Sequence, residues 1–229
     1  MEYPHNRPYT ADDLVRIITL LRDPVNGCPW DKVQTHTSIR MNFLEEAYEA
    51  VDALDLDDPV LMCEELGDVL MQVAFHTCME QETGRFTWEQ VCDGVCQKLI
   101  ERHPNIFGTQ PGYEGITDWD ALKNKEKGRR TLADDLESVP RAMPALMRAA
   151  KLQKRAARHG AALQGADAAA LADAAENLQT AQPASAQAEQ GVGELLFAAA
   201  NLARQAGVDP EQALQKANEA FCTAAGPVA

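Results

Sequence analysis

The sequence is poor in the features that would favour a β-sheet core. Aromatic residues make up only 6% of the 229 residues, and runs of β-branched residues are short. Good helix formers dominate instead, and alanine is frequent after Ala142. Hydrophobic residues amount to 45% of the chain, which is enough for one or two ordinary cores. The composition therefore predicts an all-α protein.

Other absences limit where the protein works. No apolar run approaches the ~20 residues that a membrane-spanning helix needs, and no secretory signal precedes the cysteines. The six cysteines contain no CxxC pair, so we expect reduced thiols in a cytoplasmic protein without membrane contact. Cys92 and Cys96 lie one helical turn apart and could form half of a zinc site. Two small core residues are the simpler interpretation.

Basic residues are outnumbered by acidic ones. The chain has 21 lysines and arginines against 35 aspartates and glutamates, which gives a formal net charge of −14 at pH 7. Such a surface repels nucleic-acid backbones and anionic lipids. We therefore expect no nucleic-acid partner, and expect a polyanionic ligand to bind only through a bound metal ion.

Hydrophobic periodicity and capping residues divide the chain into helices. The patterns predict helices over about residues 10–21, 37–54, 59–83, 88–103, 119–127, 142–158, 166–182 and 186–206, and from residue 210 onward. Three of these helices carry apolar stripes that we expect to face the core: Leu44, Ala47, Tyr48, Val51 and Leu54; Leu61, Leu66, Val69, Leu70 and Val73; Val91, Val95 and Leu99.

The most informative stretch is an acidic pattern on two successive helices. Glu45, Glu46 and Glu49 form EExxE, and Glu65 and Asp68 form ExxD on the next helix. Residues three apart share a helix face, so antiparallel packing would bring four carboxylates together. Crowded carboxylates repel unless a cation lies among them. Oxygen ligands select hard divalent ions, above all Mg²⁺.

Two simpler interpretations compete with a metal site. EExxE alone is often a solvated helix face, but no lysine or arginine lies three or four residues after these glutamates to form the usual ion pairs. A carboxylate-bridged di-iron site needs Glu-x-x-His on two helices. Here the third residue after Glu46 is Glu49 and the third after Glu65 is Asp68, so a di-iron site is disfavoured.

Lys98, Arg102 and His103 form a cationic end on the fourth predicted helix. Cations near a helix C-terminus also suit the helix dipole, which is the simpler explanation. In so acidic a chain, however, this cluster near a metal site suits a polyphosphate. Trp30 lies in a loop with two prolines, where it could cover the core or stack on a ligand.

The second half of the chain weakly repeats the first. Gly193 to Phe197 (GELLF) echoes Gly67 to Met71 (GDVLM), and ALQK from Ala213 echoes VCQK from Val95. The repeat has lost the acidic pattern, since Gly191 stands where the first copy has Glu65. We predict two units, at 1–127 and 141–229, joined by a linker at 128–140.

These motifs resemble the MazG family of nucleoside triphosphate pyrophosphohydrolases. The resemblance is carried by RDPVNGCPWD from Arg22, LEEAYE from Leu44, EELGDVL from Glu64, GRF from Gly84 and KLIERHPNIFG from Lys98. It continues more loosely through PALMRAAKLQKRAARHG, GELLFAAANLAR and LQKANEAF. It implies tandem helical bundles that assemble as a homodimer.

The resemblance also implies an activity and a site. Nucleoside triphosphates (NTP and dNTP) would be cut between the α and β phosphates to a monophosphate and pyrophosphate, with Mg²⁺ or, as a substitute, Mn²⁺. This would be a housekeeping role in the nucleotide pool. The implied metal ligands are Glu46, Glu49, Glu65 and Asp68, with Glu45 and Glu46 as the catalytic acids that orient or activate water. Lys98, Arg102 and His103 would bind the phosphates, and Trp30 the base or sugar.

The second unit departs from the family pattern. Its last helix reads KANEAFCTAAGPVA, with Cys222, Thr223 and Ala224 where basic residues are expected. We predict that this unit is catalytically inactive and serves packing or dimerisation. The eroded unit also leaves open an alternative function, a nucleotide-binding or protein-binding regulator with little turnover.

Overall fold

The computed structural model describes residues 2–5, 7–104, 106–108 and 119–226. Within these residues the chain is helical and contains no strand, so the all-α prediction is confirmed. None of the helices found there is both long and apolar enough to cross a membrane. The helices are α1 (Ala11–Leu21), α2 (Arg40–Asp55), α3 (Pro59–Glu82), α4 (Trp88–Arg102), α5 (Trp119–Glu126), α6 (Leu132–Glu137), α7 (Ala145–Arg158), α8 (Ala168–Thr180), α9 (Ala186–Gln205) and α10 (Pro210–Ala225), with a 3₁₀ turn at Asp31–Val33.

The chain divides into two compact units, Met1–Ile116 and Thr117–Ala229. This boundary lies about ten residues before the end of the predicted first unit. The segment predicted as a linker, residues 128–140, contains α6, which packs against α7. Residues 128–140 are therefore part of the second unit's structure. Residues 105 and 109–118, which include part of the predicted connection, lie outside the described residues.

In the first unit the core forms where α1 and α4 pack on the C-terminal half of α3. Its buried members are Ile18, Ile39, Ala74, Phe75, Cys78, Met79 and Trp88. Cys92 packs against this core, as expected, whereas Cys96 is exposed, so the prediction of two core cysteines is wrong for Cys96. All six cysteines are free thiols.

Local capping sets where these helices begin. Thr87 accepts from the backbone N–H of Gln90 while the Gln90 side chain accepts from the Thr87 N–H, which is the predicted capping box of α4. Asp58 accepts from two backbone N–H groups of α3, and Pro59 occupies the first helical position. The contacts of Asp58, together with Pro59, fix the start of α3, the helix that carries Glu65 and Asp68.

Helices α2 and α3 form an antiparallel hairpin joined by residues 56–58. Asp57 in this turn has a φ of 52°, in the left-handed region that aspartate tolerates better than most residues. Glu49 precedes Asp57 by eight residues and Glu65 follows it by eight, while Glu46 and Asp68 are each eleven away. Antiparallel pairing therefore places Glu49 opposite Glu65 and Glu46 opposite Asp68.

The apolar stripes predicted for α2, α3 and α4 are only partly buried. On α2 the buried residues are Ala50 and Ala53, two positions that the stripe prediction did not include. Large side chains of all three predicted stripes are instead exposed by 40% or more, namely Tyr48, Val51, Leu54, Leu66, Leu70, Val95 and Leu99. The expectation that these residues face the core of their own unit is wrong.

The second unit pairs its helices in the same order as the first. Helices α8 and α9 form a hairpin, α7 packs on α9 as α1 packs on α3, and α10 contacts α9 as α4 contacts α3. Gln153 on α7 is buried and donates to the Phe197 carbonyl at 2.7 Å, which ties α7 to α9. At the α6–α7 contact, fully buried Asp135 accepts from Arg158 and pairs with Arg155.

Candidate metal centre

Three carboxylates converge on the α2–α3 hairpin. Glu46 and Glu49 of α2 and Glu65 of α3 each offer an oxygen, and these oxygens lie within 4.8 Å of one another. Glu46 and Glu65 are half-buried, whereas Glu49 is exposed. An all-oxygen set at this spacing suits a hard divalent cation. In the parts of the chain that the structure describes, no other three acidic, histidine or cysteine residues meet in this way.

Asp68 lies beside this set without being one of the three. Its charge helps to raise the pKa of both Glu46 and Glu65. Partial burial is the largest cause of each shift, and the neighbouring carboxylates add to it. Glu46 and Glu65 therefore hold their protons more tightly than ordinary glutamates do. A divalent cation would relieve this repulsion, so the residues present fit such an ion.

Gln72 extends the site one turn further along α3, four residues after Asp68. Its side chain lies against Glu46 and lowers the pKa of that carboxyl, partly offsetting burial. Gln72 is only 7% exposed, and its Oε1 atom has no hydrogen-bond partner within the described structure. A buried acceptor that is left unpaired points to a missing partner such as a cation or an ordered water. Sequence reasoning missed this residue, although the four-residue spacing from Asp68 was a usable signal.

Glu45 does not join the three-carboxylate set. It is exposed and precedes Glu46 by one residue, so it points about 100° away around the helix. Its predicted role is to orient or activate water. That role stays a prediction.

The predicted substrate-binding residues lie on two other elements of the first unit. Trp30 precedes the 3₁₀ turn and is 57% exposed, so the alternative of a lid over the core is wrong. Lys98 is exposed on α4, and Arg102 is half-buried at the end of that helix. His103 follows it, with Nδ1 2.7 Å from the Leu99 carbonyl oxygen. Their contact with phosphates and base stays a prediction.

A second polar cluster lies further along α3. The Nδ1 atoms of His36 and His76 are 2.8 Å apart, and Nε2 of His36 is 2.6 Å from Oε1 of Glu80. Arg85 binds the same Glu80 at 2.6 Å. His76 follows Gln72 by one turn, so a line of polar residues continues along α3 from the carboxylates. Sequence reasoning noted His76 only as evidence against di-iron, because its partner His36 comes from a loop forty residues away.

The second unit lacks this arrangement. At the positions related by the repeat, Gly191 replaces Glu65, Glu194 replaces Asp68 and Ala198 replaces Gln72. Asp173 and Glu176 on α8 are exposed, and the described acids of this unit form no three-residue cluster. The hairpin fold is kept although most of the acidic pattern is not.

Comparison with known proteins gives a family match over the segment that contains the carboxylates. Residues 34–107 match the family model described as the MazG nucleotide pyrophosphohydrolase domain, and this range contains both acidic motifs. The chain is 41% identical over 219 residues to the nucleoside triphosphate pyrophosphohydrolase of Escherichia coli, which covers 92% of this chain and 83% of that protein. It is 39% identical over 212 residues to the nucleoside triphosphate pyrophosphohydrolase/pyrophosphatase MazG of Thermotoga maritima, covering 92% and 82%.

In the residues that the structure describes, fold and site define an all-α protein whose helical hairpin gathers carboxylates that could hold a divalent cation. The extent and level of identity then place it within one group of such proteins. The chain belongs to the MazG family.

Proposed function

We propose that this protein is a divalent-metal-dependent nucleoside triphosphate pyrophosphohydrolase that works from its first unit. The observation that carries the proposal is the convergence of Glu46, Glu49 and Glu65 inside the segment that matches the family model. The two relatives named as pyrophosphohydrolases align over more than nine-tenths of the chain. The reaction cuts the bond between the α and β phosphates and yields a nucleoside monophosphate and pyrophosphate.

Glu46, Glu49, Glu65 and Asp68 would hold Mg²⁺, with Mn²⁺ as a substitute. The bound ion supplies charge neutralisation of the phosphate oxygens. Gln72 would support this set, because it is buried and its side chain interacts with Glu46.

Water and substrate would be handled by the residues around this set. Glu46, with Glu45 at the edge of the site, would orient the attacking water. Lys98, Arg102 and His103 would neutralise the phosphates from the end of α4, and the exposed ring of Trp30 is free to stack on a base. A role in nucleotide-pool housekeeping in the cytoplasm follows from this activity.

Pyrophosphate release from each NTP and dNTP with Mg²⁺ tests the proposal. Glu49→Gln and Asp68→Asn should each lower the rate by about two orders of magnitude or more, since one misplaced catalytic contact has that effect. Asp55 is an exposed acid on α2, the helix that carries Glu49. Asp55→Asn therefore serves as the matched control and should retain wild-type activity. Full activity in Glu49→Gln would exclude the assigned site.

A homodimer is the assembly that the first unit supports best. The exposed apolar side chains of α2 and α4, among them Tyr48, Val51 and Leu99, are too many for an ordinary solvent-facing surface. A second copy that covers them would bury the stripes that the sequence pattern marks as core. In this view the second unit keeps the helix order of the first, lacks most of its acidic ligands and serves packing. Light scattering on the purified chain tests the dimer, and a monomer mass would contradict it.

A further inference from the structure

The second unit contains a cavity of about 640 Å³ between α7, the end of α9 and the turn that leads into α10. Its volume is typical of small-molecule sites. Gly207 in that turn has a φ of 71°, which lets the chain reverse before Asp209 and Pro210 start α10. The Gln153–Phe197 hydrogen bond holds the α7 and α9 walls together. The cavity therefore lies between helices that a hydrogen bond ties together.

Three cationic side chains line this cavity. Lys151 and Lys154 are three residues apart on α7 and share a face, and Arg204 comes from the last turn of α9. As far as the structure describes the chain, neither lysine has a hydrogen-bond or ion-pair partner. Arg204 donates its Nε–H to the neutral oxygen of Asn201 at 2.9 Å. In a chain of net charge −14, such a cluster of cations without bound acids is unusual.

The acids around the cavity accept hydrogen bonds from backbone N–H groups. Asp209 lines it, but its Oδ1 atom accepts from the backbone N–H groups of Glu211 and Gln212 at 2.9 and 3.0 Å. Glu211 accepts from the Met147 N–H at 3.3 Å. Three cations thus face one carboxylate that caps a helix. This balance favours an anionic ligand, because the cations otherwise repel one another.

Apolar side chains line the cavity together with the cations. Among them are Met143, Met147, Val208 and Pro210. Methionine side chains adjust to ligands of irregular shape. A ligand that contacts both the cations and these apolar side chains carries a compact anionic group and an apolar body.

We propose that this cavity binds an organic phosphate of about mononucleotide size. Lys151, Lys154 and Arg204 would contact its phosphate, and the apolar side chains would contact its body. The site uses only residues of the second unit and no metal ion. It would give that unit a ligand-binding role although it has lost the carboxylates of the first. The proposal does not depend on the proposed hydrolysis, because its test measures binding without turnover.

Calorimetric titration of the full chain with AMP in EDTA tests the site, since chelation prevents metal-bridged phosphate binding at the first unit. Inorganic phosphate is titrated in parallel. AMP should bind more tightly than phosphate, and its affinity should fall as salt increases. The double variant Lys151→Gln/Lys154→Gln should weaken AMP binding by about tenfold or more.

Two variants separate the site from a general charge effect. Lys216→Gln removes a lysine from α10 outside the cavity and should leave AMP affinity unchanged. Lys151→Arg/Lys154→Arg keeps both charges and should retain most of the binding. No AMP binding by the wild type, equal loss in Lys216→Gln, or phosphate binding as tight as AMP would each overturn the proposal.

Discussion

The Nδ1 atoms of His36 and His76 lie 2.8 Å apart, and their rings stack at a centroid distance of 5.1 Å with planes 6° apart. One Nδ1 must donate and the other accept, so a single N–H joins the two rings. His36 also lies 2.6 Å from Glu80 through Nε2. This contact joins the loop before α2 to the C-terminal half of α3. It therefore positions the N-terminal end of the hairpin that carries the carboxylates.

The histidine pair should make stability depend on pH. Burial, followed by the charge of His36, lowers the pKa of His76 below its ordinary value of 6.5. The unfolded chain then binds the additional proton first, so the free energy of unfolding should decrease as the pH falls through about 6.5. Urea unfolding between pH 7.5 and 5.5 measures this dependence. His76→Gln should flatten it, while His5→Gln in the N-terminal segment should not.

The same slope in wild type and His76→Gln would show that other groups cause the pH dependence. The carboxylates of the hairpin act in the opposite direction. Glu46 and Glu65 have a raised pKa, so they favour folding below about 4.5 and lose that contribution as the pH rises. Their contribution changes with pH in the opposite sense to that of His76, which distinguishes the two effects.

Much of the hairpin could be predicted from sequence, because its signals are local. Asp58 and Pro59 mark the start of α3, and the spacing of Glu46 and Glu49 places them on one face. The partner of a buried side chain is not local. Gln72 reads as an ordinary helix former, yet the fold buries it against Glu46. His36 contacts His76 although forty residues separate them in the sequence, because the chain reverses direction between them.

Apolar periodicity was less reliable for a different reason. A stripe such as Tyr48, Val51 and Leu54 shows that a face will be covered, but does not show by what. Within one chain the small residues Ala50 and Ala53 meet α3 instead, because small side chains let the hairpin helices approach closely. The prediction identified an apolar stripe but was wrong about the surface that covers it. It supports the dimer proposed above.

Metal addition should stabilise the wild-type protein and affect Glu46→Gln differently. In wild type, Mn²⁺ at one hundred times its dissociation constant would add about 2.7 kcal/mol to the free energy of unfolding. Glu46→Gln removes a repelling charge, so its metal-free form should unfold at higher temperature than the wild type. Its gain on adding Mn²⁺ should be much smaller. Thermal unfolding with and without MnCl₂ measures both, with Asp55→Asn as the control that should match wild type.

Gly27 is required by the loop that carries Trp30. A Cβ atom at this position would lie 2.4 Å from the carbonyl oxygens of both Asp23 and Leu21, which the loop also uses as hydrogen-bond acceptors. Gly27→Ala should therefore destabilise the first unit by about 1–3 kcal/mol and raise the KM for NTP. Gly94→Ala is the matched control. Its Cβ meets no atom within 4 Å inside helix α4, so it should stabilise by about 0.5–1 kcal/mol.

Urea unfolding and NTP kinetics on the two glycine variants distinguish these outcomes. Arg22 also restrains this loop. Its contacts strengthen the expectation that Gly27→Ala destabilises the first unit. It donates to the carbonyl oxygens of Asp31 and Gln34, pairs with Glu82 and lies over the Phe75 ring. A loop fixed this firmly has little room to absorb a displaced backbone. Wild-type stability in Gly27→Ala would contradict that view.

Asp135 should be the most sensitive acid of the second unit. It is fully buried and bonded by Arg158 at 2.6 Å, with His159 Nε2 at 3.1 Å and Arg155 at 3.0 Å. Burial alone would raise the pKa of Asp135, but the bonds from Arg158, Asn124 and His159 outweigh it and lower that pKa. Asp135→Ala leaves buried Arg155 without its carboxylate and should cost about 3–5 kcal/mol.

Asp134→Ala provides the comparison for that substitution, because Asp134 is adjacent and exposed. It completes the capping box of α6 with Thr131, so its loss should cost only about 1 kcal/mol. Urea unfolding compares the two. The carboxylates proposed for catalysis all lie in the first unit, so pyrophosphate release in native buffer should persist in Asp135→Ala. Loss of activity together with the second unit's stability would show that the first unit needs an intact second unit to function.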